Sequence, residues 1–163
     1  MIKINVLALR RLTQEILTGI KQLERLMREW QIIRCGDWTD SLLRRAASSI
    51  FHDFYCGAEN IFKRIAPILN GGLPSGSLWQ ASLLNQMQLE IPEVRPAVIA
   101  RETYKRLQIF LAFRHDFRYG YASDFNVTEL KELDRIYPGV QQAVLADLNR
   151  LLLFLDKHID ERE

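Results

Sequence analysis

Apolar residues recur every three or four positions along almost all of this chain, and that period leaves little room for anything but helices. Leu9, Leu12, Ile16, Ile20, Leu23, Met27 and Trp30 mark one face of a first helix. The stretch CGDWTD (35–40) breaks it and offers Asp37 or Thr39 as the N-cap of a second. That second helix carries Leu43, Ala47, Ile50, Phe54, Ala58, Ile61 and Ile65, and NGGLPSG (70–76) stops it with glycines and a proline. Ser77 with Gln80 has the form of a capping box for a short third helix ending near Pro92. Pro96 opens a fourth helix running to about Tyr119. Asn126 with Glu129 caps a fifth segment, which Pro138-Gly139 interrupts or kinks before Val140, Val144, Leu148, Leu151 and Leu155 resume the stripe. No strand period, internal repeat or low-complexity tract is visible. Long amphipathic helices with short connections predict an all-α antiparallel bundle of four or five helices.

A chain of 163 residues suits one domain, residues 1–163, with a core large enough to need no staples. The net charge of +2 is too small to imply a nucleic-acid coating, so any basic effect has to be local. Apolar runs such as LLLFL (151–155) are far short of a membrane span, and the charged N-terminal stretch does not read as an export signal. Cys35 and Cys56 read as free thiols, one in a loop and one packed on a helix, in a cytoplasmic protein. Three histidines and two cysteines show no metal-ligand spacing, so no metal or cofactor is expected.

The chemistry concentrates in FLAFRHDFRYGY (110–121). Leu107, Phe110, Arg114, Phe117 and Tyr121 share one helical stripe, which sets a guanidinium on an apolar seam. Burying it unpaired would cost several kcal/mol. Three outcomes are open to it: a carboxylate on another helix, such as Glu59; an edge of the bundle, reached by snorkelling; or a bound phosphate, whose oxygens suit the planar fork. Arg118 lies one turn on and can join a phosphate contact. A helix C-terminus repels anions, so any such site depends on side chains. His115 and Tyr119 share a second face, about 100° round.

SSIFHDFYCGAENIFKRIA (48–66), GGLPSGSLWQASLLNQM (71–87) and FLAFRHDFRYGY, in that order, resemble the HepT-like branch of the HEPN superfamily. The resemblance implies a bundle that forms homodimers, the motif helices meeting at the two-fold axis. It implies a metal-independent endoribonuclease, the toxin of a toxin–antitoxin pair, partnered by a minimal nucleotidyltransferase antitoxin and acting on RNA. In that family the arginine and histidine of an R-x4-H-x-Y pattern act on RNA, and the antitoxin attaches AMP to the tyrosine. Arg114 matches the arginine and Tyr121 the tyrosine. The catalytic histidine position falls on Tyr119, a departure.

Histidine titrates near neutral pH and tyrosine near pH ~10, so Tyr119 can donate a proton but is a poor base. His115 is the nearest substitute, catalytic only if it reaches the facing site of a dimer. His52 and Asp53 match the family's HDFY block; Asp53 can orient a histidine, pair with an arginine, or simply face solvent. The expected activity is therefore a ribonuclease scaffold with an altered acid–base position. The alternative is an impaired bundle that binds RNA, a nucleotide or its partner protein.

Overall fold

The computed structural model describes residues 5–120 and 126–161. Five α-helices account for most of them: α1 Val6–Ile33, α2 Ser41–Ile65, α3 Trp79–Gln88, α4 Arg101–Tyr119 and α5 Val127–Asp160. Among the described residues there is no strand, only an isolated bridge between Ile91 and Arg95. The fold is an all-α bundle, and no described helix is long and apolar enough to cross a membrane.

The predicted stripes are the core. Leu9, Leu12, Ile16, Ile20, Leu23 and Trp30 of α1 are buried, as are Ala47, Ile50, Phe54, Ala58, Ile61 and Ile65 of α2. Helix α2 also buries Phe51, Tyr55 and Phe62, because it touches all four other helices and so has no single apolar side. Its approach to α1 is close: a Cβ on Gly19 would sit 2.5 Å from Cγ1 of Ile61. Aromatic rings lock α2 to α4 and α5. Phe54 lies 5.1 Å from Phe110 and 5.2 Å from Tyr137, centroid to centroid, in edge-to-face geometry. That packing fixes the register of α4 against α2, and with it the position of Arg114.

Helix ends depart from the sequence expectations in four places. Neither Asp37 nor Thr39 caps α2. Asp40 does, its Oδ1 accepting from the Leu42 N–H at 2.8 Å, while Asp37 accepts from the Thr39 N–H and hydroxyl in a local turn. The Ser77–Gln80 capping box does not form, since α3 starts at Trp79 with Leu78 as an uncapped N-cap. Pro96 does not open α4, which begins at Arg101. Val98 and Ile99 instead bury their side chains and donate both N–H groups to the Met87 carbonyl, and the Ala100 N–H bonds to Asp147 Oδ2 at 2.9 Å.

Fourth, of the interruption or kink expected at Pro138-Gly139, the interruption does not occur: α5 runs through it. Pro138 withholds the N–H that the Asp134 carbonyl would take. Packing holds the helix together around that gap. Trp30 Nε1 donates to Asp134 Oδ1 at 2.6 Å, and Gln141 Nε2 donates to the Leu23 carbonyl at 2.6 Å, both from α1 to α5 or back. Two other expectations are met: Asn126 Oδ1 caps α5 through the Thr128 N–H at 2.8 Å, and Gly71, at φ 82°, ends the π-helical turn Ala66–Asn70 that extends α2.

Candidate functional site

The last turns of α4 lie along one face of α2, where His52, Asp53, Cys56 and Glu59 recur at helical spacing. Phe113 is buried against Phe51, with ring centroids 6.4 Å apart, and Phe117 covers the His52 ring at 4.4 Å. Arg114, between those two phenylalanines, is thereby directed onto α2. Its Nε donates to Cys56 Sγ at 3.2 Å, and its Nη2 lies 3.4 Å from Glu59 Oε1. The arginine side chain is 16% exposed and that of Glu59 only 3%, so this is an ion pair at the edge of the core rather than a surface bridge.

The electrostatics follow from that burial. Desolvation pushes the Glu59 carboxyl above its ordinary range, against the downward pull of Arg114, Lys63, a Gln80 hydrogen bond and His115. Burial alone would lower the Arg114 guanidinium, but the Cys56 hydrogen bond and the Glu59 charge outweigh it, and the net shift is upward. Tyr55 beside them is pushed upward too, by burial first and by the Glu59 charge second. The guanidinium is thus a fixed, permanently charged group, anchored at two points of α2 one turn apart.

The other predicted residues fall into three groups. His52 and Asp53 do join the cluster: Asp53 Oδ1 lies 3.0 Å from His52 Nδ1, and His52 Nε2 lies 3.6 Å from Cys56 Sγ. His115, Arg118 and Tyr119 are exposed at the C-terminal end of α4. Tyr119 is 84% exposed, and the Arg118 guanidinium carbon sits 6.0 Å from its ring centroid. Arg118 in the last turn also complements the helix dipole. Tyr121 lies outside the described residues. The partner of Arg114 left open by the sequence is the carboxylate, Glu59, as far as the chain's own groups go.

Cys56 is the site residue that the sequence reasoning passed over as packing. Its signal was present in the spacing, four residues after His52 and three before Glu59 on one helical face. Among the described residues no group of three or more His, Cys, Asp and Glu side chains could hold a metal ion.

The described bundle thus carries on its fourth helix an arginine anchored on the second, with histidine, arginine and tyrosine exposed at the helix end. The family model for HepT-like protein matches residues 46–155, from the first turns of α2 nearly to the end of α5. The chain belongs to the HepT-like family. Membership carries the general HEPN toxin-type assignment, and proteins of this family are generally parts of toxin–antitoxin pairs. Neither a curated protein nor a solved structure gives a match.

Proposed function

We propose that this chain is the toxin half of a toxin–antitoxin pair, built on a metal-independent RNA-cleaving scaffold and acting as a homodimer in the cytoplasm. The observation that carries this reading is Arg114. A guanidinium set by two contacts on a neighbouring helix, at the edge of the core and beside exposed cationic and phenolic groups, is preorganised for a phosphate. In this reading Arg114 stabilises charge on the scissile phosphate, Arg118 adds a second phosphate contact, and Glu59 is a positioning residue for Arg114. Asp53 orients His52 at the flank. A nucleotidyltransferase partner silences the site by attaching AMP to Tyr121, placing phosphates that compete with RNA for Arg114.

Cleavage by the RNA 2′-hydroxyl needs a base and an acid as well as positive charge. Tyr119 takes the place of the acid–base histidine, and a phenol is a far poorer base than an imidazole. Its exposure, at 84%, favours a second reading in which the chain binds RNA and cuts it slowly. His115, also exposed, contributes only from the facing subunit.

Restoring the histidine decides between them. Tyr119→His is expected to raise RNA cleavage by about 10²–10⁴-fold, the usual worth of one acid–base group. Arg114→Ala in that background should abolish the gain, and expression of Tyr119→His should arrest growth more severely than the unmodified chain. Cleavage that is unchanged by Tyr119→His while RNA binding persists supports the binding reading. Cleavage that survives Arg114→Ala overturns the role of Arg114.

A further inference from the structure

We propose that Cys56 is a thiol-modification site that reacts with small disulfides and that its capping removes one of the two contacts that hold Arg114 on α2. Three groups converge on its sulfur from two helices. Arg114 Nε donates to Sγ at 3.2 Å, and His52 Nε2 lies 3.6 Å away. Asp53 Oδ1, 3.0 Å from His52 Nδ1, holds the proton on that nitrogen and leaves Nε2 as the acceptor. Phe117, stacked on the imidazole at 4.4 Å, prevents the ring from turning away. A half-buried sulfur with a guanidinium donor and an imidazole both within reach is the environment in which a thiol becomes an efficient nucleophile. Cys56 is half-buried, whereas Cys35 is exposed, so the two cysteines of this chain rank oppositely by access and by surroundings.

The step balances. The Sγ–H proton passes to His52 Nε2, and the thiolate attacks one sulfur of the disulfide. A bond forms from Sγ to that sulfur, the original S–S bond breaks, and the departing thiolate takes the proton from His52. Cys56 is oxidised and half of the disulfide is reduced. A substituent on Sγ competes for space with the guanidinium 3.2 Å away, so the anchor at Cys56 is weakened and the one at Glu59, also on α2, remains. That consequence for RNA rests on the function proposed above; the reactivity of the thiol does not.

The test treats the intact chain with oxidised glutathione and follows both cysteines by peptide mapping after an acid quench. In the folded chain Cys56 is expected to be capped about tenfold faster than Cys35 despite its lower access, and in urea the ratio should fall to about one. His52→Ala and Arg114→Met should each slow Cys56 and leave Cys35 unchanged. A folded-state ratio at or below one overturns the proposal without recourse to any variant. RNA affinity is measured in parallel: capping the wild-type chain should weaken it about tenfold, and capping Cys56→Ser should not. Unchanged affinity in the capped wild type overturns the loosening of Arg114. Absence of RNA binding by the uncapped chain overturns the functional reading instead, and the ratio of rates still decides the thiol.

Discussion

Arg114 and Glu59 are each explicable only through the other. A carboxylate whose side chain is 3% exposed cannot be left charged and alone, and a guanidinium on an apolar seam needs a counter-charge. Removing the arginine alone should therefore be worse than removing both. Arg114→Met is expected to cost about 3 kcal/mol at neutral pH, as for other broken buried pairs. The pH dependence has a definite sign. Burial already places the folded-state Glu59 above its ordinary value of 4.5, and loss of Arg114 raises it further. A group raised in the folded state destabilises only as pH climbs from the unfolded value through the folded one. The deficit of Arg114→Met should thus shrink towards pH ~4.5, and Glu59→Gln added to it should recover most of the neutral-pH loss. Urea unfolding of the wild type and the two variants at neutral and mildly acid pH measures this. An equal deficit at both pH values would show that Glu59 does not carry the effect.

At the scale of elements, most of the bundle could be read from its stripes, because period and burial coincide in α1, α2 and α5. What could not be read were the places where one element ends on another. The true start of α4 depends on Asp147 of α5 capturing the Ala100 N–H, a contact 47 residues apart. The segment before it depends on Arg95, which periodicity does not mark. Arg95 is 3% exposed and donates to Asn70 Oδ1, to the Gln86 and Leu89 carbonyls at the end of α3, and to the Pro96 carbonyl. Burial lowers its guanidinium from the ordinary value, and the C-terminal dipole of α3 supplies the compensating negative charge. The site was legible to the same degree: Arg114 announced itself as a charge on an apolar stripe, while Cys56, a residue that helix packing alone explains, did not. Arg95→Ala is expected to cost about 3 kcal/mol and to speed amide exchange across residues 86–99, since buried carbonyls lose their donors. Arg95→Lys should recover less than half, because an ammonium cannot span four acceptors in a plane. Full rescue by lysine would reduce the role of Arg95 to charge alone.

For the molecule as a whole, the decisive quantity is a net charge of +2 on 163 residues. A chain so nearly neutral cannot hold RNA by a diffuse positive field, so binding has to come from a few placed cations. On the function proposed above, Arg114 and Arg118 supply about two phosphate contacts per chain. Counterion release for single strands then gives a slope of log affinity against log salt of about −1.4, roughly a sevenfold loss between about 50 and 200 mM salt. Two copies gripping one strand double the slope and raise the loss to about fiftyfold. Arg118→Ala should lower the slope by about 0.7 per chain, the signature of one released ion, without changing helicity. A measured slope steeper than about −5 would require many more cations than the end of α4 presents, and would move the RNA-binding surface away from Arg114 altogether.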